Sequence, residues 1–356
     1  MNSLGVVVIG RNEGDRLLRC FESLEPQAVP VVYVDSGSTD GSVEAARSRG
    51  VEVVELDPSR PFSAARARNE GFARCERLNP DLRFVMFVDG DCEVDSGWLP
   101  RAVHELEARP ELAVVCGRRR ELYPGRSVYN RLADLEWDTP IGLALACGGD
   151  ALFRVADFRN VGGFDPTTKA GEEPELCRRL RRAGRQVARI DAEMTRHDLN
   201  MTRFSEWWRR QLRVGYHGLD IESRFKPIGP SSGTVPEDSL FGPSLRRARL
   251  WGIGWPFLVA TAAVLMGKFV GVVPALWSML AGFGLLAAQA GRLAWRVRRG
   301  VDRPGDAIAF GGLSVLEKWA NLAGQIQYLR DRRRGRGAQL IEYKGRARPA
   351  PAHRAG

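Results

Sequence analysis

The chain has 356 residues, of which 44% are hydrophobic and 27% charged. That excludes a disordered, collagenous or disulfide-scaffold protein and leaves room for a buried core and more than one structural unit. The formal charge is +10, but residues 1–245 carry 34 basic against 38 acidic side chains, 246–329 carry 10 against 3, and 330–356 carry 9 against 2. Nucleic-acid binders keep their basic patch on the folded module, so basic residues that flank apolar segments and fill a tail predict a membrane partner and no nucleic acid.

In chain order, the first half alternates short β-branched runs with amphipathic charged stretches, the pattern of βα units around a largely parallel sheet. Strands are predicted at 5–9, 31–34, 51–55, 84–88 and 113–116, and helices at 13–24, 41–49, 63–77 and 97–107. The stretch 118–137 reads as irregular, 144–153 as a glycine-punctuated strand or turn, 172–183 as a helix, and 202–216 as a helix carrying Trp207 and Trp208. Residues 226–243 are rich in Pro, Gly and Ser, a linker composition.

Beyond residue 249 the composition changes. Residues 250–267 hold no charge over 18 positions and 269–291 none over 23, with Lys268 alone between them. Each is about as long as the ~20 apolar residues that cross a bilayer. Arg246, Arg247 and Arg249 precede the pair, and Arg292, Arg296, Arg298 and Arg299 come after it, so both ends are expected on the cytoplasmic side. Residues 307–329 are amphipathic and expected along the interface, and 332–334 with the remaining tail are expected to be disordered. Six scattered cysteines without a CxxC fit a reduced compartment. The apolar run at 4–9 is too short for a signal peptide, so the first domain is expected in the cytoplasm.

Chemistry concentrates in a few segments. Asp89 and Asp91 lie two residues apart after an apolar strand, so both can share one face at its carboxyl end, where open α/β sheets bind ligands. Two hard oxygen donors there suit Mg²⁺ or Mn²⁺; taken alone, the same tripeptide is equally an Asp-Gly turn. Residues 34–42 run from another strand into a helix through glycines and hydroxyls, with Asp35 placed to meet a nucleobase or ribose. Residues 63–71 supply small side chains for close packing, with Arg68 as a clamp for a diphosphate.

Together and in order, residues 8–13, 34–42, 65–71, 88–91, 148–154, 162–165 and 171–180 resemble the inverting glycosyltransferases of family 2, which have the GT-A fold. The resemblance covers about residues 4–218. It implies a nucleotide-sugar donor with Asn12, Glu13 and Asp35 at the nucleoside, Arg68 near the phosphates, Asp91 on the metal and Asp89 beside it or on the ribose. The family's base lies in a Glu-Asp pair, here Glu172 and Glu173, the second one methylene longer than expected. His197 is a candidate late metal ligand. Trp207 and Trp208 stand where an acceptor would bind, or as interfacial anchors. The segment 207–213 does not match the Gln-x-x-Arg-Trp element of processive synthases, which favours transfer of one sugar per encounter.

The expected architecture is therefore α/β: a GT-A type, Rossmann-like mixed sheet flanked by helices over 1–225, a linker over 226–249, a transmembrane helical hairpin over 250–292, an amphipathic helix over 293–330 and a basic disordered tail over 331–356. The expected protein is a metal-dependent glycosyltransferase at the inner membrane, with its catalytic domain cytoplasmic and a lipid or lipid-linked acceptor. A polyprenyl-phosphate glycosyltransferase and a non-catalytic membrane scaffold that kept the fold are the alternatives.

Overall fold

The computed structural model describes residues 3–225 and 239–341; part of the expected linker and tail, 226–238 and 342–356, lies outside them. The elements are β1 (Leu4–Gly10), α1 (Asp15–Leu24), β2 (Val31–Asp35), α2 (Ser42–Ser48), β3 (Glu52–Glu55), α3 (Ala64–Leu78), β4 (Phe84–Asp89), β5 (Cys92–Val94), α4 (Trp98–Ala108), β6 (Leu112–Glu121), α5 (Val128–Trp137), β7 (Gly142–Leu143), β8 (Ala151–Arg154), α6 (Val155–Asn160), α7 (Glu172–Arg182), β9 (Gln186–His197), α8 (Phe204–Arg224), α9 (Gly242–Arg249), α10 (Trp255–Phe269), α11 (Val272–Val297) and α12 (Pro304–Arg333). One mixed sheet runs β3-β2-β1-β4-β8-β6-β9-β5, with β7 paired to β9. Its first four strands are parallel, and β8 is antiparallel to both of its neighbours.

The valine- and phenylalanine-rich strands β1 and β4 are buried on both faces, as parallel strands covered by helices must be. Their register sets the site: Gly10 lies opposite Asp35, and Ile9 opposite Asp89, so the carboxyl ends of β1, β2 and β4 come level on one edge of the sheet. Helix α3 starts at Ser63, whose side chain accepts the N–H of Arg66. It lies on β1 and β2 through Gly71, where any Cβ would collide with Val7 and Val34. That approach carries Arg68, one turn earlier, to the strand ends.

Three expectations are corrected. The stretch 118–137 is not irregular: β6 continues to Glu121 and α5 comes next, capped by the Ser127 hydroxyl and fastened by Glu121, which accepts from Asn130 and from the backbone N–H of Tyr123 and Leu199. A charged strand end and a helix held by tertiary bonds leave no periodic signal. The helix expected at 202–216 extends to Arg224. Asp331, Arg332 and Arg333 close α12 rather than opening a disordered tail, because buried Asp331 accepts from the Tyr216 hydroxyl of α8.

The two candidate membrane helices are Gly242–Phe269 and Val272–Val297, with mean hydropathy 1.6 and 1.5 and only 6% of either apolar window buried. The first thus begins inside the segment read as linker. Its α-helical pattern widens to a π-turn at Leu250–Gly254, just before Pro256, which has no N–H to offer and pushes against the preceding turn. Trp255 donates its indole N–H to the Gly282 carbonyl, and Gly282 lets Val259 approach. Helix α12 crosses the open end of this hairpin. Gly252 meets Leu322 and Gly311 meets the Ala290 carbonyl, two contacts that each lie about 27 Å from the turn at Gly271 by helical rise. On its other side α12 packs on α8 through Gly215 and Gly324, where a Cβ would strike the opposite backbone.

Candidate active site

Five carboxylates and two guanidinium groups meet at the carboxyl edge of β4. Arg68 Nη2 donates to Asp89 Oδ1 (2.8 Å), and Nη1 donates to Glu172 Oε1 (2.5 Å) and lies 3.2 Å from Glu173 Oε1. Arg119, from β6, reaches Asp89 Oδ2 (3.5 Å) through Nη2 and Asp150 Oδ2 (3.3 Å) through Nε. Asp150, fully buried, also accepts from the Thr195 hydroxyl (2.8 Å) and from the backbone N–H of Asp89 (3.2 Å). Asp91 Oδ2 lies 3.3 Å from His197 Nε2, and both residues are buried.

Local sequence explains the convergence. Asp89 ends β4, and the Gly90 turn returns the chain into β5, which pairs with β9 so that Cys92 stands opposite His197. Gly171, with φ of 80°, starts α7, whose first turn holds Glu172, Glu173 and Glu175, a placement the helix dipole favours. The Gly148–Gly149 segment passes close against both acidic groups: a Cβ on Gly149 would lie 2.9 Å from Asp89 Oδ2 and 3.4 Å from Glu173 Oε1, so only glycine lets the backbone approach them.

The glutamates are not equivalent. Glu172 is 7% exposed and locked on Arg68, whereas Glu173 is 15% exposed. Burial, and then the charge of Glu172, push the Glu173 carboxyl up to about 7 against the pull of Arg68. Arg68 is desolvated, yet Glu173, Asp89 and Glu172 outweigh that and hold it firmly charged. Five acids against two cations leave a net negative cleft, a setting for a divalent ion. The Asp91–His197 spacing suits a shared ion, since ligands at about 2.1 Å from one metal sit roughly 3 Å apart. The Cys92 sulfur lies in the same cluster. Burial and Asp150 push its thiol well above its ordinary range, and the oxygen and nitrogen donors beside it suit Mn²⁺ or Mg²⁺.

Asp89, Asp91, Glu172, Glu173 and His197 are thus brought together, as are Asn12, Glu13 and Asp35 at the neighbouring strand ends. Asn12, at φ 55°, donates its N–H to Ser38 Oγ and accepts from Thr39 N–H through Oδ1. Asp35 is buried and accepts from the Tyr33 hydroxyl and the N–H groups of Gly37 and Ser38, 2.8 Å each. Both hold the loop between β2 and α2 in shape. Two residues stand apart from their expected places. Arg68 is enclosed by carboxylates rather than open to a diphosphate, because α3 packs too closely to leave it at the surface. Trp207 is buried with Ala133, Leu199 and Met201, closed off from a ligand by its burial, and of the two only Trp208 is half-exposed. Sequence reading assigned no role to Asp150, Arg119 or Trp137. For Arg119 the signal is strand alternation within Arg118–Arg119–Arg120, which turns it to the face opposite its neighbours; Asp150 lies in the segment 148–154 already singled out.

Comparison with known proteins finds glycosyltransferases among those similar to this chain. Residues 5–159 match the family model "Glycosyl transferase family 2". The pre-mycofactocin glycosyltransferase of Mycobacterium tuberculosis is 29% identical over 226 residues, 59% of this chain and 45% of that protein. The succinoglycan biosynthesis protein ExoA of Rhizobium meliloti is 27% identical over 205 residues, 52% of this chain and 60% of that protein. The match therefore spans only about half the length of these relatives. The mannosyltransferase PcManGT of Pyrobaculum calidifontis, solved with GDP-Man and Mn²⁺, superposes with a TM-score of 0.53 at 17% identity, over 92% of this chain and 87% of that one, a likeness of GT-A fold.

Proposed function

We propose, from the premise that this chain belongs to glycosyltransferase family 2, that it moves a single sugar from a nucleotide-sugar donor to a hydroxyl or phosphate of a lipid or lipid-linked acceptor at the cytoplasmic face of the inner membrane. The observation that carries this reading is the meeting of Asp89, Glu172 and Glu173 on Arg68, with the Gly149 backbone packed close against Asp89 and Glu173. Glu173 is the base: it is the more exposed of the pair and the one pushed up to about 7, near the working pH that suits proton transfer. Glu172 keeps Arg68 in place. As the acceptor oxygen bonds to the anomeric carbon, the carbon–oxygen bond to the diphosphate breaks on the opposite face, the acceptor proton passes to Glu173, and the nucleoside diphosphate leaves with the electron pair.

Asp91 and His197, with Asp89 beside them, would hold the cation, which when bound would offset charge on the leaving diphosphate. Asn12, Glu13 and Asp35 shape the nucleoside end. The membrane part of the reading rests on the hairpin, whose outward apolar side chains include Phe257, Val264, Leu276, Leu280 and Phe283, and on α12 crossing its base with Ile308 and Leu316 exposed. The relative ExoA is named for succinoglycan biosynthesis, which favours envelope carbohydrate as the setting. The test is sugar transfer from radiolabelled UDP-, GDP- and dTDP-sugars to extracted membrane lipids by the detergent-solubilised chain, with and without EDTA. Transfer is expected only with the cation and is expected to vanish in Asp91→Ala; wild-type rates in both Asp91→Ala and Glu173→Gln overturn the assignment.

A further inference from the structure

One wall of the cleft is a side chain that the proposed chemistry does not use. Trp137, the last residue of α5, meets His197 edge-on, with centroids 5.1 Å apart and planes at 84°, and lies under the Arg119 guanidinium at 5.2 Å. Both contacts are directional, because the ring's face is negative and its edge positive. A single indole therefore touches the imidazole that reaches Asp91 and the guanidinium that reaches Asp89 and Asp150.

The orientation of Trp137 is set by α5, which is held on two sides. Toward the sheet, Asn130 donates to Glu121 Oε1 at 2.8 Å and to the Tyr123 carbonyl at 3.2 Å. Away from it, Arg131 grips Asp306 through a parallel fork, Nε to Oδ2 at 2.7 Å and Nη2 to Oδ1 at 2.8 Å. Asp306 is buried and lies in the first turn of α12, the helix that crosses the hairpin base. Leu313 of α12 packs on the same small cluster of Ala133, Leu199, Met201 and Trp207 that Trp137 borders. An arginine fork fixes direction as well as distance, so the seat of α12 defines the place of α5.

We propose that Trp137 is a positioning residue for His197 and Arg119, and that the Arg131–Asp306 pair sets it, so that the seating of α12 on the hairpin fixes the metal-side wall of the cleft. The hairpin is then more than a tether: when α12 leaves its seat, Trp137 loses its backing and His197 loses its fixed ring plane. The inference rests on Asp91 and His197 being the cation site.

The experiment is Mn²⁺ titration of the detergent-solubilised full chain without donor, reading free Mn²⁺ by electron paramagnetic resonance. Partners behind a ligating histidine commonly contribute about tenfold or more to metal affinity, so Trp137→Ala and Asp306→Asn are each expected to weaken Mn²⁺ by roughly tenfold, while Trp137→Phe, which keeps an aromatic edge, retains most of it. Wild-type Mn²⁺ affinity in Trp137→Ala or in Asp306→Asn overturns the proposal. Should Asp306→Asn fail to fold, Arg131→Lys decides in its place, since it keeps the charge and loses the fork; it is expected to weaken Mn²⁺ in the same direction, and wild-type affinity overturns. His197→Ala separates the two layers. If it binds Mn²⁺ like the wild type, the cation site itself is misplaced; if it alone binds weakly, only the role of Trp137 and α12 fails.

Discussion

The sheet domain and the helical hairpin use the same apolar side chains in opposite ways. In β1 and β4, Val6, Val7, Val8, Val85 and Phe87 are sealed from solvent. In α10 and α11, Phe257, Val264, Leu276 and Phe283 all face outward, each more than half exposed. A protein in water does not leave so contiguous an apolar surface bare, whereas a helix in lipid needs it. The difference shows that burial is a relation between a side chain and its solvent. Acid collects in the cleft, where Arg68 and Arg119 pair with part of it, and arginine collects at the ends of the two apolar helices.

The contrast is broken most sharply by substitutions that act in one region alone. Glu173→Gln is expected to lower kcat by roughly 10²–10⁴ with nucleotide binding and membrane partition unchanged, measured by donor titration and flotation. A comparable loss of membrane binding would mean that the two regions are not separable. The reciprocal change is Leu280→Arg. Leu280 is 59% exposed on α11 and lies about 13 Å along the helix from the turn, close to the middle of a bilayer, where an arginine costs about 2.5–3.5 kcal/mol of insertion. Flotation on lipid gradients should show the chain leaving the membrane fraction, with donor binding retained.

Legibility in the sequence divides along the same line. Strands β1, β2 and β4 were readable because β-branched runs bounded by turn residues need little else, and the hairpin was readable because length without charge is a physical requirement of the bilayer. What escaped depends on partners far away in the chain. Helix α5 exists because Asn130 and Glu121 meet, and the end of α12 because Asp331 meets Tyr216. In the cleft the carboxylates at 89, 91, 172 and 173 stood in recognisable motifs. Asp150 stood in the segment 148–154 without a role of its own, and Arg119 stood in no motif, since a charged residue on a strand says nothing by itself about which opposite charge will reach it. Arg68 was visible as a cation near the site, but only the depth of α3 on Gly71 decides that it faces carboxylates rather than phosphate.

Smaller effects refine the boundary between the regions. Gly324→Ala places a methyl against the Leu212 carbonyl and the Tyr216 backbone, and overpacking of this kind costs about 1–3 kcal/mol. Melting of the solubilised chain should fall by several degrees, and limited proteolysis should open α12 before the sheet. An unchanged melting temperature would show that α12 and α8 are not tightly seated.

Smallest is the effect of pH on stability through Glu173. Its folded carboxyl sits at about 7 against an ordinary 4.5, so the folded state holds that proton more tightly than the unfolded chain. The contribution is fully present below about pH 4.5 and is lost as pH rises through about 7, where Glu173 ionises beside Glu172. Glu173→Gln removes that ionisation. The variant should therefore melt above the wild type at pH 8, by a few degrees for a gain on the order of 1 kcal/mol, and together with it at pH 5. The same titration sets activity in the opposite sense, because the base works only when ionised: wild-type kcat should rise roughly tenfold per unit below about pH 7 and level above it. Stability that falls while activity rises across one pH interval is what a carboxylate kept strained for its chemistry requires, and a melting curve for Glu173→Gln that tracks the wild type at both pH values would place the ionisation elsewhere in the cleft.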